Sequence, residues 1–379
     1  MDYRLIATCA FGIEKILSNE LKALGYEDLK VENGKVEFDG DEMDIAICNV
    51  HLRTAERVLI KLAEFKAVTF EELFQGTKAI DFGALIPISG KMHVVGKSVR
   101  SQLHSVPDCQ SIVKKAVVES MKKTYDREIF AETGAVYKIE IALLKDIATI
   151  TVDTSGEGLH RRGYREHSGA APVKETLAAA MVLISGYDGS RPLIDPFCGS
   201  GTILIEAAMI ARNIAPNVDR KFVSETWPGF PKDVYDQVRE GARNQVKSLK
   251  LSITGYDNDT YVLSTAKMNA KKAGVFKNIY FNHQDFMNLK YTDRNVTIIT
   301  NPPYGERLGE RENIVMLMEK MGRDKAVNED FEMYILSALE GFEKAFGRKA
   351  HKNRKLYNGR ILTYFYQYFA EKRKEDQII

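Results

Sequence analysis

The architecture of this chain can be read outward from one octapeptide, Asp195-Pro196-Phe197-Cys198-Gly199-Ser200-Gly201-Thr202. A short apolar stretch precedes it and a helical pattern follows it, which predicts a strand, a tight turn and a helix. Because glycine lacks a Cβ and adopts positive φ readily, the two glycines would let a ligand approach the backbone closely. The chain has no G-x-x-x-x-G-K-[ST] motif, so the turn is not predicted to be a phosphate-binding P-loop.

The segments around this octapeptide alternate between strand and helix patterns through the second half of the chain. Such alternation predicts an α/β domain with a mostly parallel sheet, helices on both faces and ligands at the carboxyl ends of the strands. A long interruption, 214–249, carries aromatic residues of its own. The predicted helices are 174–185, 202–212 and 259–272, and the predicted strands are 192–195, 251–257, 278–285 and 296–300.

Acidic residues stand at the ends of the next two predicted strands. Asp257 offers a carboxylate that can accept hydrogen bonds from ribose hydroxyls, and Asp285 is followed by Phe286, whose ring could lie on an adenine. About 60 residues separate the octapeptide from Asp257, against roughly 20 in an ordinary dinucleotide fold, and the 214–249 interruption accounts for the difference. Asp259 lies close by and is an alternative to Asp257.

At these positions the sequence resembles class I S-adenosylmethionine-dependent methyltransferases, whose catalytic domain is Rossmann-like. The resemblance implies S-adenosylmethionine as cofactor, with the glycine loop at its methionine moiety and the two later acids at its ribose and adenine. The cofactor-binding residues that it implies are Asp195, Pro196, Phe197, Gly199, Gly201, Thr202, Asp257, Asp285 and Phe286.

A second motif, Asn301-Pro302-Pro303-Tyr304, follows the predicted strand 296–300. The two prolines fix φ and remove two backbone donors, which predicts a rigid turn that presents carbonyls and the Asn301 side chain. Asn301 Oδ1 and the Pro302 carbonyl are acceptors that suit an amino group with two N–H donors. Such an amine needs no strong base if its lone pair is aimed at the methyl of a sulfonium. The Tyr304 ring offers a face on which a target base could stack.

This tetrapeptide resembles the catalytic motif of amino-methyltransferases. That group includes adenine-N6 enzymes acting on DNA, guanine-N2 and adenine-N6 enzymes acting on RNA, and glutamine-N5 enzymes acting on release factors. The tetrapeptide alone does not choose among these substrates, so the choice rests on the N-terminal half.

The N-terminal half shows two short units of mixed strand and helix pattern, which argues against a doubly wound sheet there. The stretch from residue 94 to residue 123 contains six Lys or Arg residues and only two acidic residues. Such a stretch can form a surface that follows a phosphate backbone, or it can be a solvated helix face. The residues proposed to contact RNA in this stretch are Lys97, Arg100, Lys114 and Lys115.

This stretch resembles a THUMP domain, an RNA-binding module of RNA-modifying enzymes, and the preceding segment resembles its ferredoxin-like companion. With the octapeptide, the tetrapeptide and Leu356-Tyr357-Asn358-Gly359-Arg360, the likeness to the THUMP-containing 23S rRNA guanine-N2 methyltransferase family covers nearly the whole chain. It implies a ferredoxin-like segment at 1–65, a THUMP domain at 66–155 and a methyltransferase domain at 156–379, with free or assembling 23S rRNA as partner. Related chains are also labelled N6-adenine DNA methylases.

Two further basic stretches fit RNA binding. Arg161, Arg162 and Arg165 lie around Tyr164 and could hold phosphate, or could equally belong to a linker that pairs with acids of either domain. The stretch 344–355 holds six basic residues and no acid between predicted strands 332–338 and 360–367. It is expected to be a mobile basic loop, with a plain solvated loop as the alternative. Its proposed RNA contacts are Lys349, Lys352 and Arg354.

The composition of the chain limits the classes of protein to which it can belong. A chain of 379 residues with 44% hydrophobic and 28% charged residues is expected to form two or three globular domains. No apolar run is long enough to cross a bilayer and no signal region is recognisable, so a cytoplasmic location without membrane contact is expected. Scattered cysteines and histidines predict no metal site. A non-catalytic RNA-binding protein with a relic fold remains an alternative, although the intact motifs argue against it.

Overall fold

The computed structural model describes residues 2–165, 173–291, 295–304, 310–324 and 331–370. Within these residues the strands form two seven-stranded sheets, one in each half of the chain. None of the described helices is long and apolar enough to span a membrane. The α/β fold predicted from the sequence, with a mostly parallel C-terminal sheet, is confirmed.

The N-terminal sheet has the order β2-β3-β1-β4-β7-β6-β5 and is antiparallel except for the parallel pair β5 and β6. Residues 145 and 146 both adopt positive φ, which matches the two-residue turn that joins twisted antiparallel strands. The elements are β1 Tyr3–Thr8, α1 Glu14–Ala23, β2 Lys30–Glu32, β3 Lys35–Gly40, α2 Glu42–His51, β4 Arg57–Lys66, α3 Phe70–Lys78, β5 Lys91–Val99, α4 Val106–Tyr125, β6 Val136–Leu144 and β7 Ile147–Asp153.

The two short units predicted in this half share this sheet. Strand β4, which the sequence patterns did not predict, pairs with β1 of the first unit on one side and β7 of the second on the other. The positions of the boundaries at 65/66 and 155/156 remain predictions.

The C-terminal sheet has the order β10-β9-β8-β11-β12-β14-β13. The first five strands are parallel, and β14 and β13 complete the sheet in antiparallel fashion. The elements are α5 Glu175–Ser185, β8 Leu193–Asp195, α6 Thr202–Ala211, α7 Val234–Asn244, β9 Ile253–Asp257, α8 Thr260–Lys272, β10 Ile279–His283, β11 Thr297–Thr300, α9 Glu310–Arg323, β12 Glu332–Ser337, α10 Phe342–Phe346, β13 Lys352–Asn358 and β14 Ile361–Tyr368.

The prediction of a single basic loop over 344–355 is wrong at both ends, and only 347–351 lie outside regular elements. Its first residues belong to α10, and its last four begin β13, which pairs with β14 along its whole length from Lys352 opposite Gln367 to Asn358 opposite Ile361. Because β13 is an edge strand with one exposed face, polar and basic residues are tolerated there without the apolar alternation that marks a buried strand.

The 214–249 interruption joins the two halves. Trp227 stacks on Tyr137 of β6 with ring centroids 4.7 Å apart, and its Nε1 donates to the Val136 carbonyl at 3.0 Å. Tyr235 of α7 accepts a 3.1 Å hydrogen bond from Asn49 Nδ2 of α2. In return, Ile13 of the N-terminal half is buried in the core of the C-terminal sheet. This segment therefore holds the N-terminal half against the C-terminal domain.

Candidate active site

The two motifs found in the sequence meet at one edge of the C-terminal sheet. Strands β8 and β11 are parallel neighbours, with Ile194 paired to Ile298, so their carboxyl ends lie side by side. The Thr300 hydroxyl donates a 2.6 Å hydrogen bond to Asp195 Oδ1, which links the last residue of one strand to the last residue of the other. This contact brings the octapeptide and the tetrapeptide into one site, at the place where open α/β sheets bind ligands.

The glycines of the octapeptide have different surroundings. Gly201 (φ +82°) is packed, because a Cβ there would lie 3.2 Å from Ala266 and from the Phe281 ring. Gly199 (φ +52°) faces open space, with no atom within 4 Å of a Cβ added to it. Its backbone N–H donates to Asp257 Oδ2 at 3.0 Å, which fixes the turn against the end of β9. The turn thus leaves room for a ligand at Gly199 and is held by Asp257.

A third glycine, which sequence reasoning missed, allows this arrangement. A Cβ on Gly255 would lie 2.9 Å from the Cys198 sulfur, so the turn can approach β9 only because this position has no side chain. A lone glycine inside a strand pattern is the signal that could have identified it.

Asp195 is almost completely buried. Burial raises the pKa of its carboxyl to about 7, and the charge of Asp257 adds to the rise, although hydrogen bonds from Thr300 and the Phe197 N–H oppose it. These two donors are neutral groups. The proton state of Asp195 therefore changes near neutral pH.

The two neighbouring acids differ in their contacts with helix α8. Asp259 is its N-cap, because the carboxylate accepts hydrogen bonds from the Tyr261 and Val262 N–H groups. Asp257 holds the Gly199 and Asp259 N–H groups with its two oxygens, and each oxygen retains a second lone pair for a ribose hydroxyl. The geometry favours Asp257 over Asp259.

Three of the other predicted cofactor residues lie at the same edge. Pro196 is buried in the octapeptide, and Thr202 begins α6, where its hydroxyl accepts a hydrogen bond from Arg165. Asp285 is exposed after β10, and its Oδ1 accepts from the Met287 N–H at 2.7 Å.

The adenine-stacking role predicted for the Phe286 ring is not supported. The residue is only 5% exposed, and its ring lies 4.7 Å from the Phe197 ring and 4.6 Å from Lys320 Nζ. The Lys320 ammonium also donates to the Phe286 carbonyl at 2.8 Å. Aromatic packing and this cation take up the surface that an adenine would need. Sequence spacing gave no sign that Lys320, which lies 34 residues further on, reaches this position.

The tetrapeptide forms a hydrogen-bonded chain with the end of β13. The Tyr304 hydroxyl donates to Asn301 Oδ1 at 2.5 Å and accepts from Asn358 Nδ2 at 3.4 Å. Pro302 is buried and Pro303 is exposed. The side-chain oxygen of Asn301, Oδ1, keeps one lone pair for a second hydrogen-bond donor. The part that Asn358 plays was missed, since it depends on a contact over 54 residues of sequence.

The predicted RNA-binding residues of the linker divide into two groups. Arg161 is exposed and pairs with Glu157. Arg162 has a fully buried side chain that pairs with Glu206 at 3.4 Å and donates to the Leu159 carbonyl, so the RNA-binding prediction is wrong for it. Arg165 donates to the Val173 carbonyl at 3.0 Å and to Thr202. For Arg162 and Arg165 the alternative of a structural linker holds.

The other predicted RNA contacts lie on the surface, where several have acidic partners. Lys97 is exposed and lies 2.7 Å from Glu140, whereas Lys114 is partly buried between Glu132 and the Met92 carbonyl. The remaining residues are the exposed Arg100, Lys115, Lys349 and Lys352 and the half-buried Arg354. Among the described residues, no group of three or more His, Cys, Asp or Glu side chains could hold a metal ion.

Comparison with known families assigns all three parts of the chain. Residues 4–59 match the RlmL ferredoxin-like domain, 67–153 match the THUMP domain and 162–366 match the RMKL-like methyltransferase domain. A Bacillus subtilis (strain 168) protein, YpsC, described as a candidate RNA methyltransferase, is 48% identical over 98% of this chain and 97% of its own length.

Two solved structures are also similar along nearly the whole length of the chain. A predicted N6-adenine-specific DNA methylase from Listeria monocytogenes is 46% identical, with a TM-score of 0.92 over 98% of this chain and 97% of that one. SMU.472, a methyltransferase by assignment that was crystallised with S-adenosylhomocysteine, is 41% identical, with a TM-score of 0.92 over 98% of both chains. The chain therefore belongs to the RMKL-like methyltransferase family with an N-terminal THUMP domain, as its sequence predicted.

Proposed function

We propose that this S-adenosylmethionine-dependent RNA methyltransferase methylates the exocyclic N2 of a guanine in 23S rRNA, as free or assembling subunit RNA in the cytoplasm. The observation that carries the proposal is the Thr300–Asp195 hydrogen bond of 2.6 Å, which joins the glycine turn to the Asn-Pro-Pro-Tyr motif. A donor turn and an amine-accepting turn at adjacent strand ends are what methyl transfer to an amine needs.

The residues around the octapeptide fit S-adenosylmethionine. Gly199 borders open space where a side chain would stand, and Asp257 presents carboxylate lone pairs toward the same turn. When bound, this cofactor supplies an electrophilic methyl group on a sulfonium. The titratable Asp195 is the first residue of the octapeptide, and its carboxyl accepts hydrogen bonds from the Thr300 hydroxyl and the Phe197 N–H. S-adenosylhomocysteine, the corresponding product, was found bound to the similar protein SMU.472.

The tetrapeptide positions the amine. Asn301 Oδ1 and the Pro302 carbonyl accept the two amine hydrogens, which directs the nitrogen lone pair toward the methyl group. Tyr304 holds the Asn301 amide through its hydroxyl, and we propose that its ring stacks on the base. With the cofactor bound, the nitrogen would bond to the methyl carbon as the carbon–sulfur bond breaks, and the extra proton would leave to solvent.

An RNA substrate is supported by the THUMP domain at 67–153 and by the description of the Bacillus subtilis relative. The Listeria relative carries a DNA methylase description instead, and adenine N6 is also an exocyclic amine. The assignment to guanine and to 23S rRNA therefore has to be tested against adenine and against DNA.

Mass spectrometry of nucleosides from a deletion strain provides that test. Purified 23S rRNA, 16S rRNA, tRNA and genomic DNA would be compared with those of strains that express the wild type or the Asn301→Ala variant. We expect one N2-methylguanosine to disappear from 23S rRNA and to return only with the wild type. Loss of N6-methyladenine instead would show that the enzyme methylates adenine N6. Unchanged nucleosides in all four samples would contradict the proposal.

A further inference from the structure

An exposed aromatic pair lies where the two halves of the chain meet. Phe11, in the turn between β1 and α1, is 58% exposed, although a phenylalanine gains from burial. Its ring centroid lies 6.5 Å from that of Tyr357 on β13, with the planes at 69°. The N-terminal half thus contributes one ring of the pair and the methyltransferase domain the other.

The backbone holds these two rings in place. Arg354 Nη1 donates to the Gly12 carbonyl at 3.0 Å, which ties the Phe11 turn to β13. Gly12 adopts φ +94°, and a Cβ there would overlap the Lys355 carbonyl, so only glycine allows this approach. The pair is therefore set before any ligand arrives, which lowers the entropy cost of binding.

Positive charge lies along the strand that carries Tyr357. Strand β13 carries Lys352, Arg354 and Lys355, and the chain contains no acid from Arg348 to Arg360. Lys352 and Lys355 are exposed, and Lys355 Nζ lies 5.9 Å from the Tyr357 ring centroid. Because β13 is the last strand of its sheet, no strand among the described residues pairs with its outer edge.

The pair is also next to the catalytic motif. Asn358 follows Tyr357 directly and reaches the Tyr304 hydroxyl at 3.4 Å. Consecutive side chains of a strand point to opposite faces, so the Tyr357 ring leaves β13 on the face opposite Asn358, one residue along the strand from the residue that contacts the tetrapeptide.

We propose that Phe11 and Tyr357, with Lys355, bind a single-stranded RNA nucleotide close to the target base. The rings supply a stacking surface and the Lys355 ammonium pairs with a flanking phosphate, the combination with which proteins hold single strands. The inference rests on the proposed function, since it needs an RNA substrate. It assigns the ferredoxin-like segment a direct contact with RNA beside the active site.

The test uses the full-length protein and a short fluorescein-labelled single-stranded oligoribonucleotide of mixed sequence. Affinity would be measured by fluorescence anisotropy for the wild type, Phe11→Ala and Tyr357→Ala. Phe11→Leu keeps an apolar side chain against Tyr357 and removes only the aromatic face. Tyr280→Ala is the matched control, because Tyr280 is 63% exposed on β10, the opposite edge of the same sheet. Calorimetry with S-adenosylhomocysteine and thermal unfolding would accompany each variant.

We expect Phe11→Ala, Phe11→Leu and Tyr357→Ala each to weaken RNA binding about tenfold, with unchanged S-adenosylhomocysteine affinity, while Tyr280→Ala binds like the wild type. Unchanged RNA affinity in the Phe11 variants, as expected if the pair docks a protein instead, would overturn the inference, as would an equal loss in Tyr280→Ala. A wild type that binds S-adenosylhomocysteine but no RNA would refute the proposed function and this inference together.

Discussion

Each of the two sheets contains a buried carboxylate, and the pKa values of these two carboxylates are shifted in opposite directions. Glu37 on β3 and Asp195 at the end of β8 are both about 1% exposed. Burial alone would raise the pKa of Glu37, but hydrogen bonds and charges from Lys35 and Lys61 lower it to about 2. Burial raises the pKa of Asp195 to about 7, and among the described residues its hydrogen-bond donors are the neutral Thr300 hydroxyl and Phe197 N–H.

The difference separates a structural acid from an acid at a ligand site. The two ammonium groups at Glu37 lie 2.6 and 3.0 Å from its oxygens, so that its charge is neutralised within the sheet. Asp195 stands at the carboxyl end of a parallel strand, where the next group outward is the turn that borders open space at Gly199. Perturbed acids without a cation in such places are typical of functional sites.

Separating the halves is the strongest test of whether they are independent. A fragment that begins at residue 156 keeps the 214–249 segment but loses the surface that covers it, which exposes Trp227, Phe222, Phe230 and Tyr235. Each aromatic side chain buries roughly 150–250 Å², so the exposed patch would exceed what monomeric proteins carry. We expect the fragment to aggregate, as measured by soluble yield and size-exclusion chromatography beside the full chain. A soluble fragment with cooperative thermal unfolding would contradict this expectation.

Within the C-terminal site, Asn301→Ala sharpens the contrast between the two turns. It removes one oriented acceptor of the amine, and we expect kcat to fall about a hundredfold, roughly 3 kcal/mol of barrier. Affinity for S-adenosylhomocysteine should be unchanged, because Asn301 belongs to the amine-accepting turn. Asn282→Ala, an exposed position on β10, is the matched control. A wild-type rate in Asn301→Ala would remove the amine clamp from the mechanism.

Neutral isosteres of the two buried acids should change stability in opposite directions. Glu37→Gln leaves two lysines without their anion and should lower the free energy of unfolding by about 2 kcal/mol at pH 7. Asp195→Asn removes a buried charge that has no cation beside it. At pH values above 7 this substitution should raise the free energy of unfolding. Urea unfolding of both variants beside the wild type measures these changes. Equal losses in both variants would show that the two environments do not differ as described.

The pH dependence of the free energy of unfolding tests the direction of the two pKa shifts independently. The folded pKa of Asp195 is raised, so its contribution to stability is complete below about pH 4 and is lost as the pH rises through about 7. The folded pKa of Glu37 is lowered, so its contribution is complete above about pH 5 and is lost only as the pH falls toward 2. Between pH 5 and 7, the difference between wild type and Asp195→Asn should change by roughly 1.4 kcal/mol per unit, and that for Glu37→Gln should stay constant.

The sequence predicted the elements whose signals are local. The glycine turn, the Asn-Pro-Pro-Tyr turn and their strands were readable because residue type and hydrophobic period report directly on backbone conformation. Arg162 was misassigned because its partner Glu206 lies 44 residues away, and a basic residue looks alike whether it is buried in a pair or exposed to RNA. Strand β13 was not predicted because its basic residues lack the apolar alternation of a buried strand. The contact of Trp227 was not predicted because its partner Tyr137 lies in the other half of the chain.

The smallest predicted effect concerns the Tyr304 hydroxyl. A purely stacking ring would tolerate Tyr304→Phe without loss, but this hydroxyl donates to Asn301 Oδ1 and accepts from Asn358 Nδ2. Losing one net hydrogen bond costs about 1 kcal/mol, so we expect kcat to fall about fivefold in Tyr304→Phe and by a similar factor in Asn358→Ala. Tyr304→Ala, which also removes the ring, should be far more damaging. The double variant Tyr304→Phe, Asn358→Ala should be no worse than either single change, because both break the same chain of hydrogen bonds. Tyr280→Phe on β10 serves as the control for loss of a tyrosine hydroxyl. If the two single effects added in the double variant, Asn358 would act on the reaction by another route than through Tyr304.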